Sequence, residues 1–159
     1  MKLASFSIGN RCSYGVVTDE GVIDISQQPG APGNLRSALA KLTTEEIAAL
    51  TADRLPDHEL GDIVYLPPIT DPKKILCIGV NYVNRNEEYD ETTLPQYPSV
   101  FIRTPGSLVG HLQPIIRPME SKQLDYEGEI AIIIGKAGRR IPQESAESYI
   151  AGLTVLQEG

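Results

Sequence analysis

The sequence predicts a β-rich α+β fold, with a small α+β domain at residues 1–70 and a second, strand-rich domain at residues 71–159. Short apolar stretches with strand-like spacing recur along the chain, whereas segments with helical spacing are few and short. Prolines concentrate at Pro67, Pro68 and Pro72, which places a domain boundary near them. Hydrophobic residues make up 41% of the chain, so we expect a packed core and exclude extensive disorder.

The chain is acidic, with 14 Lys and Arg residues against 21 Asp and Glu and a formal net charge of -7. This balance disfavours nucleic acid and anionic membrane surfaces as partners, because phosphate groups attract Lys and Arg. No apolar run approaches the length of a membrane span, and the N-terminal stretch does not resemble a signal peptide. The two cysteines, Cys12 and Cys77, are too few for a disulfide scaffold, and we expect a cytoplasmic protein.

The first domain is predicted to begin with a three-stranded meander. Alternation of Ala4, Phe6 and Ile8 indicates the first strand, and residues 14–18 and 22–25 form the next two. Two short helices follow. Leu35, Leu39 and Leu42 share a face in the first, and Thr43 with Glu46 predicts a capping box that starts the second. His58 lies in a polar, irregular stretch and is interpreted as a solvated loop residue.

The second domain is predicted to be mostly strands. Residues 75–78 are apolar on both faces, which indicates a fully buried strand. One helix is expected at residues 142–150, with a proline near its start. The remaining predicted strands are residues 99–102, 115–116, 126–134 and 153–157.

Three carboxylates mark the start of the long strand at residues 126–134. Because side chains alternate along a strand, Asp125, Glu127 and Glu129 lie on one face, with neighbouring Cβ atoms about 6.6 Å apart. Such carboxylates repel one another, and a bound hard cation would remove that repulsion. A solvated acidic face on an edge strand is the other interpretation, and spacing alone leaves both open.

Two further segments are candidates for substrate binding. Arg85 and Glu88 are three residues apart, after the strand at 75–78, and share a face if a helical turn starts there. Arg103 ends the strand at 99–102 and has the planar fork that binds carboxylates. A surface ion pair and a surface charge beside a turn are the respective alternatives.

Taken together and in this order, four segments resemble the fumarylacetoacetate hydrolase family. They are KILCIGVNY at residues 74–82, SVFIRTPGSLVG at 99–110, QLDYEGEIAIIIG at 123–135 and YIAGLTVLQEG at 149–159. The resemblance covers residues 70–159, and the preceding domain resembles the variable N-terminal domain of bacterial members, including 2-hydroxyhepta-2,4-diene-1,7-dioate isomerase-like proteins.

The resemblance implies a β-roll of mixed sheets, a homodimer, and a metal-dependent enzyme acting on 2-oxo or 2,4-dioxo acids. Its members include C–C bond hydrolases, decarboxylases and enol–keto isomerases of aromatic degradation. Matching the motifs makes Glu127, Glu129 and Glu158 the implied ligands of Mg²⁺, or of Mn²⁺ or Ca²⁺. Tyr82 and Arg103 become candidate substrate-binding residues.

Arg85 departs from the family pattern, because hydrolytic members usually have a histidine that activates water at this position. Arginine stays protonated and cannot act as a general base. The expected chemistry is therefore isomerase- or hydratase-like enolate chemistry, with Glu88 as a proton carrier, and C–C bond hydrolysis is the close alternative. Arg85 and Glu88 are the predicted catalytic residues.

Two rival interpretations stay open. In one, the chain is not an enzyme but a non-catalytic relative that serves in binding or assembly. In the other, it is the N-terminal piece of a split, nicked, proteolysed or truncated enzyme. In the second case a companion polypeptide that continues after Gly159 completes the sheet.

Overall fold

The computed structural model describes residues 1–82 and 96–159. Its contacts divide the chain into two compact units, one formed by residues 1–69 and 109–159 and the other by residues 70–108. This division does not test the predicted domain boundary near residue 70, which stays a prediction. The β-rich α+β class is confirmed, because short helices accompany strands throughout the described residues.

A four-stranded antiparallel sheet forms the N-terminal part of the first unit. Strands β1 (Lys2–Ile8), β2 (Arg11–Val17), β3 (Val22–Asp24) and β4 (Val64–Tyr65) are arranged in the order β3-β2-β1-β4. The register pairs Phe6 with Ser13 and also with Tyr65. The predicted meander is confirmed, and β4 is added to its open edge.

Two helices cover one face of this sheet. Helix α1 (Leu35–Leu39) begins where Asn34 accepts a hydrogen bond from the Ser37 main-chain N–H. Helix α2 (Thr44–Thr51) has the predicted capping box between Thr43 and Glu46. The main core lies between sheet and helices, and a second apolar cluster lies near β4. Buried residues of the main core are Tyr14, Val16, Ile23, Ile25, Leu35, Ala38 and Ile47, and those of the second cluster are Phe6, Val22 and Ile63.

The first unit also contains an antiparallel pair, β7 (Gly128–Ile134) and β8 (Ile150–Gln157). Residues 143–149 between them form a 3₁₀ helix rather than the predicted α-helix, and β8 begins three residues earlier than expected. The whole connection between the strands is fifteen residues long, and its two ends are joined where the Gly135 N–H donates a hydrogen bond to the Tyr149 carbonyl at 2.8 Å.

The second unit contains the antiparallel hairpin of β5 (Ile75–Gly79) and β6 (Ser99–Arg103). The prediction of a fully buried strand at 75–78 is wrong for this structure. Leu76 is 58% exposed and Ile78 48%. Within the described residues β5 pairs with β6 and with no other strand. Exposed and half-buried residues alternate along β5, and the exposed ones, Leu76 and Ile78, leave one apolar face uncovered.

Two other sequence predictions are wrong. Ile115 and Ile116 form no strand, because flanking Pro114 and Pro118 restrict the backbone and remove a donor. His58 is not a solvated loop residue, since its side chain is only 19% exposed and bonds a buried carboxylate. Within the described part of the chain, no helix is both long and apolar enough to cross a membrane.

Candidate functional site

The β7–β8 pair has two chemically different faces. Its register opposes Glu129 to Leu156 and Ile132 to Leu153, with an irregularity between Ile133 and Ile134. Along β7 exposed and half-buried residues alternate, as expected for a strand with one covered face. The half-buried face, which we call the inner face, carries Glu129, Ala131, Ile133, Thr154 and Leu156. The outer face carries exposed aliphatic side chains.

The acidic residues lie at one end of the inner face. The main-chain N–H of Glu158 donates a 2.9 Å hydrogen bond to the carbonyl oxygen of Glu127, which extends the ladder one step beyond Gly128 and Gln157. Directly opposed residues in an antiparallel pair share a face, and so do residues two apart on one strand. Glu127, Glu129 and Glu158 therefore originate from neighbouring positions on the inner face.

Asp125 does not share this arrangement, because the ladder beyond β7 extends to Glu127, through its bond with Glu158, and Asp125 precedes that pair. Its carboxylate instead accepts a hydrogen bond from the Tyr126 main-chain N–H at 2.8 Å. The predicted three-carboxylate strand face thus keeps Glu127 and Glu129 but loses Asp125.

The side chain of Gln157 forms two hydrogen bonds with the main chain just before β7. Its Oε1 accepts a hydrogen bond from the Glu127 main-chain N–H at 2.8 Å. Its Nε2 donates to the Asp125 carbonyl oxygen at 3.1 Å. Both main-chain polar groups of Glu127 are therefore bonded to residues 157 and 158.

The donor chemistry of this end of the sheet fits a divalent cation. Carboxylate oxygens are the ligands that Mg²⁺, Mn²⁺ and Ca²⁺ prefer. The structure places the backbones of Glu127, Glu129 and Glu158 at neighbouring positions, but their three carboxylates do not converge on one point. Among residues 1–82 and 96–159 no three His, Cys, Asp or Glu side chains form a group able to hold a metal ion. The assignment of Glu127, Glu129 and Glu158 as ligands stays a prediction.

The predicted substrate-binding residues lie at opposite ends of the second unit's hairpin. Arg103 is opposed to Ile75 at the start of β5, whereas Tyr82 follows the end of β5 and is 48% exposed. Four strand rises separate Ile75 from Gly79, or about 13 Å. The register therefore places Arg103 at the end of the hairpin opposite to Gly79, from which the chain leads to Tyr82. Arg85 and Glu88 fall in residues 83–95, which the structure does not describe.

The loop that leads from β5 towards Tyr82 has one unusual backbone conformation. Val80 has a φ of 55°, in the left-handed region that β-branched residues rarely adopt. Conformations of this kind concentrate at functional sites.

A polar cluster around Asp24 is a feature that sequence reasoning missed. Asp24 is 1% exposed. One carboxylate oxygen accepts from the Ser13 hydroxyl at 2.6 Å and the Ser26 hydroxyl at 2.8 Å. The other accepts from Arg11 at 3.0 Å and lies 3.2 Å from His58 Nε2. These partners lie up to 34 residues away in sequence, so no local motif indicates them.

The surroundings of Asp24 favour its charged form. Burial raises the pKa of the Asp24 carboxyl, but hydrogen bonds from Ser13, Ser26, Arg11 and His58 outweigh burial and hold the pKa below its usual value. For the nearby Tyr14, burial raises the phenol pKa and the Asp24 charge adds to the effect. In this cluster the hydroxyl of Ser13 bonds the carboxylate rather than His58, which is not the order of a nucleophilic triad. We interpret the cluster as a structural anchor of the N-terminal sheet.

Two cavities lined by described residues do not include the predicted metal ligands. One, of about 170 Å³, lies where the apolar end of the inner face approaches α1. The other, of about 380 Å³, is lined by the loop around His58. At the acidic end of β7–β8, Glu127 is exposed, and Glu129 and Glu158 are half-buried.

Comparison with known proteins identifies relatives of this arrangement. Residues 74–159 match the family described as Fumarylacetoacetate (FAA) hydrolase C-terminal. The chain is 33% identical to "Oxaloacetate tautomerase Fahd2a, mitochondrial" of Rattus norvegicus over 141 residues, covering 87% of this chain and 45% of that protein. It is 32% identical to "Oxaloacetate tautomerase YisK" of Bacillus subtilis over 180 residues, covering 99% and 60%.

Solved structures agree on the fold. The chain superposes on the fumarylacetoacetate hydrolase from psychrophilic Exiguobacterium antarcticum with a TM-score of 0.74 and 31% identity, covering 98% of this chain and 54% of that one. A putative HpcE protein from Mycobacterium smegmatis gives 0.76 at 22% identity, covering 95% and 53%. The chain thus spans about half the length of the curated relatives and structures it matches.

Proposed function

Because this chain belongs to the fumarylacetoacetate hydrolase family, we propose that it forms part of a divalent-metal-dependent enzyme that interconverts the keto and enol forms of a small 2-oxo dicarboxylic acid. The observation that carries the proposal is the opposition of Glu127 and Glu158 at the acidic end of β7–β8. Relatives named oxaloacetate tautomerases make oxaloacetate the first substrate to test. A cytoplasmic location is part of this proposal.

Glu127, Glu129 and Glu158 are the residues that would hold Mg²⁺ or Mn²⁺. Three carboxylates in one place repel one another, so their convergence is expected to require the cation. Mg²⁺ commonly binds through one or two carboxylates and completes its coordination with water and substrate oxygens. When bound, such a cation supplies Lewis-acid stabilisation of charge on an enolate oxygen.

Keto–enol interconversion moves one proton between a carbon and an oxygen of the substrate. A carboxylate within hydrogen-bond reach is suited to carry that proton, and Glu88 is the proposed carrier. Arg85 remains protonated and is proposed to bind a substrate carboxylate through its planar fork. Tyr82 and Arg103 are proposed to contact the substrate, and Arg103 lies opposite Ile75 on the β5–β6 hairpin.

The test is a tautomerisation assay with oxaloacetate, run beside acylpyruvates to detect C–C bond hydrolysis. Addition of EDTA is expected to abolish turnover of the wild-type chain, and Mn²⁺ to restore it. Equal turnover in EDTA overturns metal dependence. Hydrolysis of acylpyruvates without tautomerisation of oxaloacetate overturns the proposed reaction in favour of a hydrolase.

The domain division is also proposed rather than tested. We assign residues 1–70 as an accessory module and residues 71–159 as the part that carries the reaction. The match of residues 74–159 to the family supports this division.

A second candidate function is assembly with another polypeptide, and the outer face of β7–β8 favours it. Five aliphatic side chains on this face are more than half exposed: Ile130 64%, Ile132 54%, Ile134 65%, Leu153 66% and Val155 84%. Contiguous exposed apolar surfaces of this kind mark interaction sites. Matched relatives contain about as much additional chain, and we propose a polypeptide with the sequence of that additional part, in the same chain or in a separate one, as the occupant.

Analytical ultracentrifugation tests the second candidate. The companion polypeptide, made from the unmatched part of a relative, is expected to bind wild type but not the double variant Ile132→Lys/Leu153→Lys. Exposed Leu112, 80% exposed and outside this face, provides the control Leu112→Lys. Concentration-dependent self-association that the double variant abolishes would identify a second copy instead. A monomer that binds nothing contradicts the assembly role.

A further inference from the structure

We infer that Gln157 is a positioning residue that fixes Glu127 for cation binding. The inference rests on the proposed function, because it concerns the same acidic end of β7–β8. It assigns a role to a neutral side chain that is not itself proposed as a ligand, substrate contact or proton carrier.

The Gln157 amide uses both of its functional groups on one short segment. Its Oε1 accepts from the Glu127 main-chain N–H at 2.8 Å, and its Nε2 donates to the Asp125 carbonyl oxygen at 3.1 Å. A primary amide has one acceptor and one donor group, so a single side chain can hold two backbone groups of opposite polarity. The result is a bridge from β8 to the chain that precedes β7.

The bridge acts at the place where the strand ladder ends. Regular pairing begins with Gly128 opposed to Gln157, and β7 itself does not include Glu127. The bonds from the Gln157 side chain and the Glu158 main chain restrain Glu127 on its N–H and on its carbonyl oxygen. Because both main-chain polar groups of Glu127 are restrained, the direction of its Cα–Cβ bond relative to the sheet is fixed.

Gly159 supplies an independent observation. A Cβ atom at this position would crowd both the Asp125 carbonyl oxygen and the Gln157 amide nitrogen. The bridge therefore occupies space that only a glycine leaves open. Residues 157–159 thus act together. Gln157 supplies the bridge, and Glu158 supplies a carboxylate and a ladder hydrogen bond. Gly159 has no Cβ atom that would clash with the bridge.

A purely structural role makes a different prediction. If Gln157 only secures the strand end, its removal lowers stability without altering cation affinity. If Gln157 positions Glu127, its removal lowers the affinity for the cation, beyond any loss of folding stability. Outer-shell partners that orient metal ligands typically change metal affinity about 10–100-fold when they are removed.

The experiment measures Mn²⁺ binding to the full chain by electron paramagnetic resonance, together with the melting temperature. Gln157→Ala removes the bridge, and Gly159→Ala crowds it while keeping Gln157. Ser121→Ala is the matched control, because Ser121 likewise bonds backbone groups, at Gln123, without touching residues 125–127. Amide hydrogen exchange at Glu127 reports the bridge directly.

We expect about a 10-fold loss of Mn²⁺ affinity in both Gln157→Ala and Gly159→Ala. Ser121→Ala should bind as wild type, and exchange at the Glu127 amide should be faster in Gln157→Ala. If wild type binds Mn²⁺ and both variants bind equally well, the positioning role is overturned while the proposed function stands. An equal loss of Mn²⁺ affinity in Ser121→Ala also overturns the positioning role. If wild type binds no Mn²⁺, the metal site itself is overturned, and the positioning role with it.

Discussion

The main-chain N–H of Glu158 donates a 2.9 Å hydrogen bond to the carbonyl oxygen of Glu127, although 31 positions separate the two residues in the sequence. This bond opposes two acidic residues at the end of β7–β8, and Glu129 follows on the same face. Alternation along the strand then leaves Ala131 and Ile133 to continue the inner face towards the apolar cavity near α1. The inner face of β7–β8 is thus acidic at one end and apolar at the other, where it lines the cavity near α1.

Shortening Glu158 should preserve the cation site, whereas removing its charge should not. Glu158→Asp keeps a carboxylate with one methylene less reach. Glu158→Gln keeps the length but replaces the anionic ligand with a neutral amide. Calorimetric titration with Mn²⁺ is expected to show affinity near wild type for Glu158→Asp and at least about 10-fold weaker binding for Glu158→Gln. Equal affinities for the two variants contradict a ligand role for Glu158.

Asp24 should make stability fall in acid. Because its pKa is lower in the folded chain than in the unfolded chain, its stabilisation is complete above the unfolded value of about 4. The stabilisation is lost as the pH falls towards the lower, folded value. Asp24→Asn is expected to cost about 3 kcal/mol at neutral pH, because it leaves Arg11 and His58 facing a neutral amide. The unfolding free energy of Asp24→Asn should depend less on pH in the acid range than that of wild type.

Urea unfolding across the acid range checks this prediction. Asp53→Asn, on an exposed aspartate, is the control and should retain the wild-type pH dependence. A wild-type unfolding free energy that is constant from neutral pH into the acid range argues against the Asp24 anchor.

Gly15 should be far less tolerant of a methyl group than Gly61. A Cβ at Gly15 would collide with the main-chain carbonyl of Ile23 on the paired strand β3, whereas a Cβ at Gly61 would meet nothing within 4 Å. Overpacking of a filled position typically costs about 1–3 kcal/mol. Gly15→Ala is therefore expected to lower the melting temperature by several degrees, and Gly61→Ala to leave it nearly unchanged. Thermal denaturation followed by circular dichroism measures both, and equal shifts count against the described β2–β3 packing.

The local elements were predictable from sequence because their signals are local. The Thr43–Glu46 capping box spans four residues, and the alternation of Ala4, Phe6 and Ile8 in β1 spans five. The same holds for Glu127 and Glu129, whose shared face follows from strand geometry alone. The family resemblance at residues 74–159 was confirmed by comparison.

Other features depend on contacts that local patterns do not contain. The Asp24–His58 interaction joins residues 34 positions apart, and the Gln157 bridge joins residues 30 and 32 apart. The apolar pattern of β5 predicted burial on both faces, but burial depends on what packs against a strand, and hydrophobicity alone does not supply that partner.

Mn²⁺ affinity of wild type compared with Glu127→Gln tests the central claim most directly. Electron paramagnetic resonance of free Mn²⁺ gives the affinity, and Glu144→Gln provides a control with the same charge change on an exposed residue. We predict one Mn²⁺ site in wild type and in Glu144→Gln, and at least about 10-fold weaker binding in Glu127→Gln. Equal binding by wild type and Glu127→Gln, or no binding by wild type, would contradict a cation site at the acidic end of β7–β8.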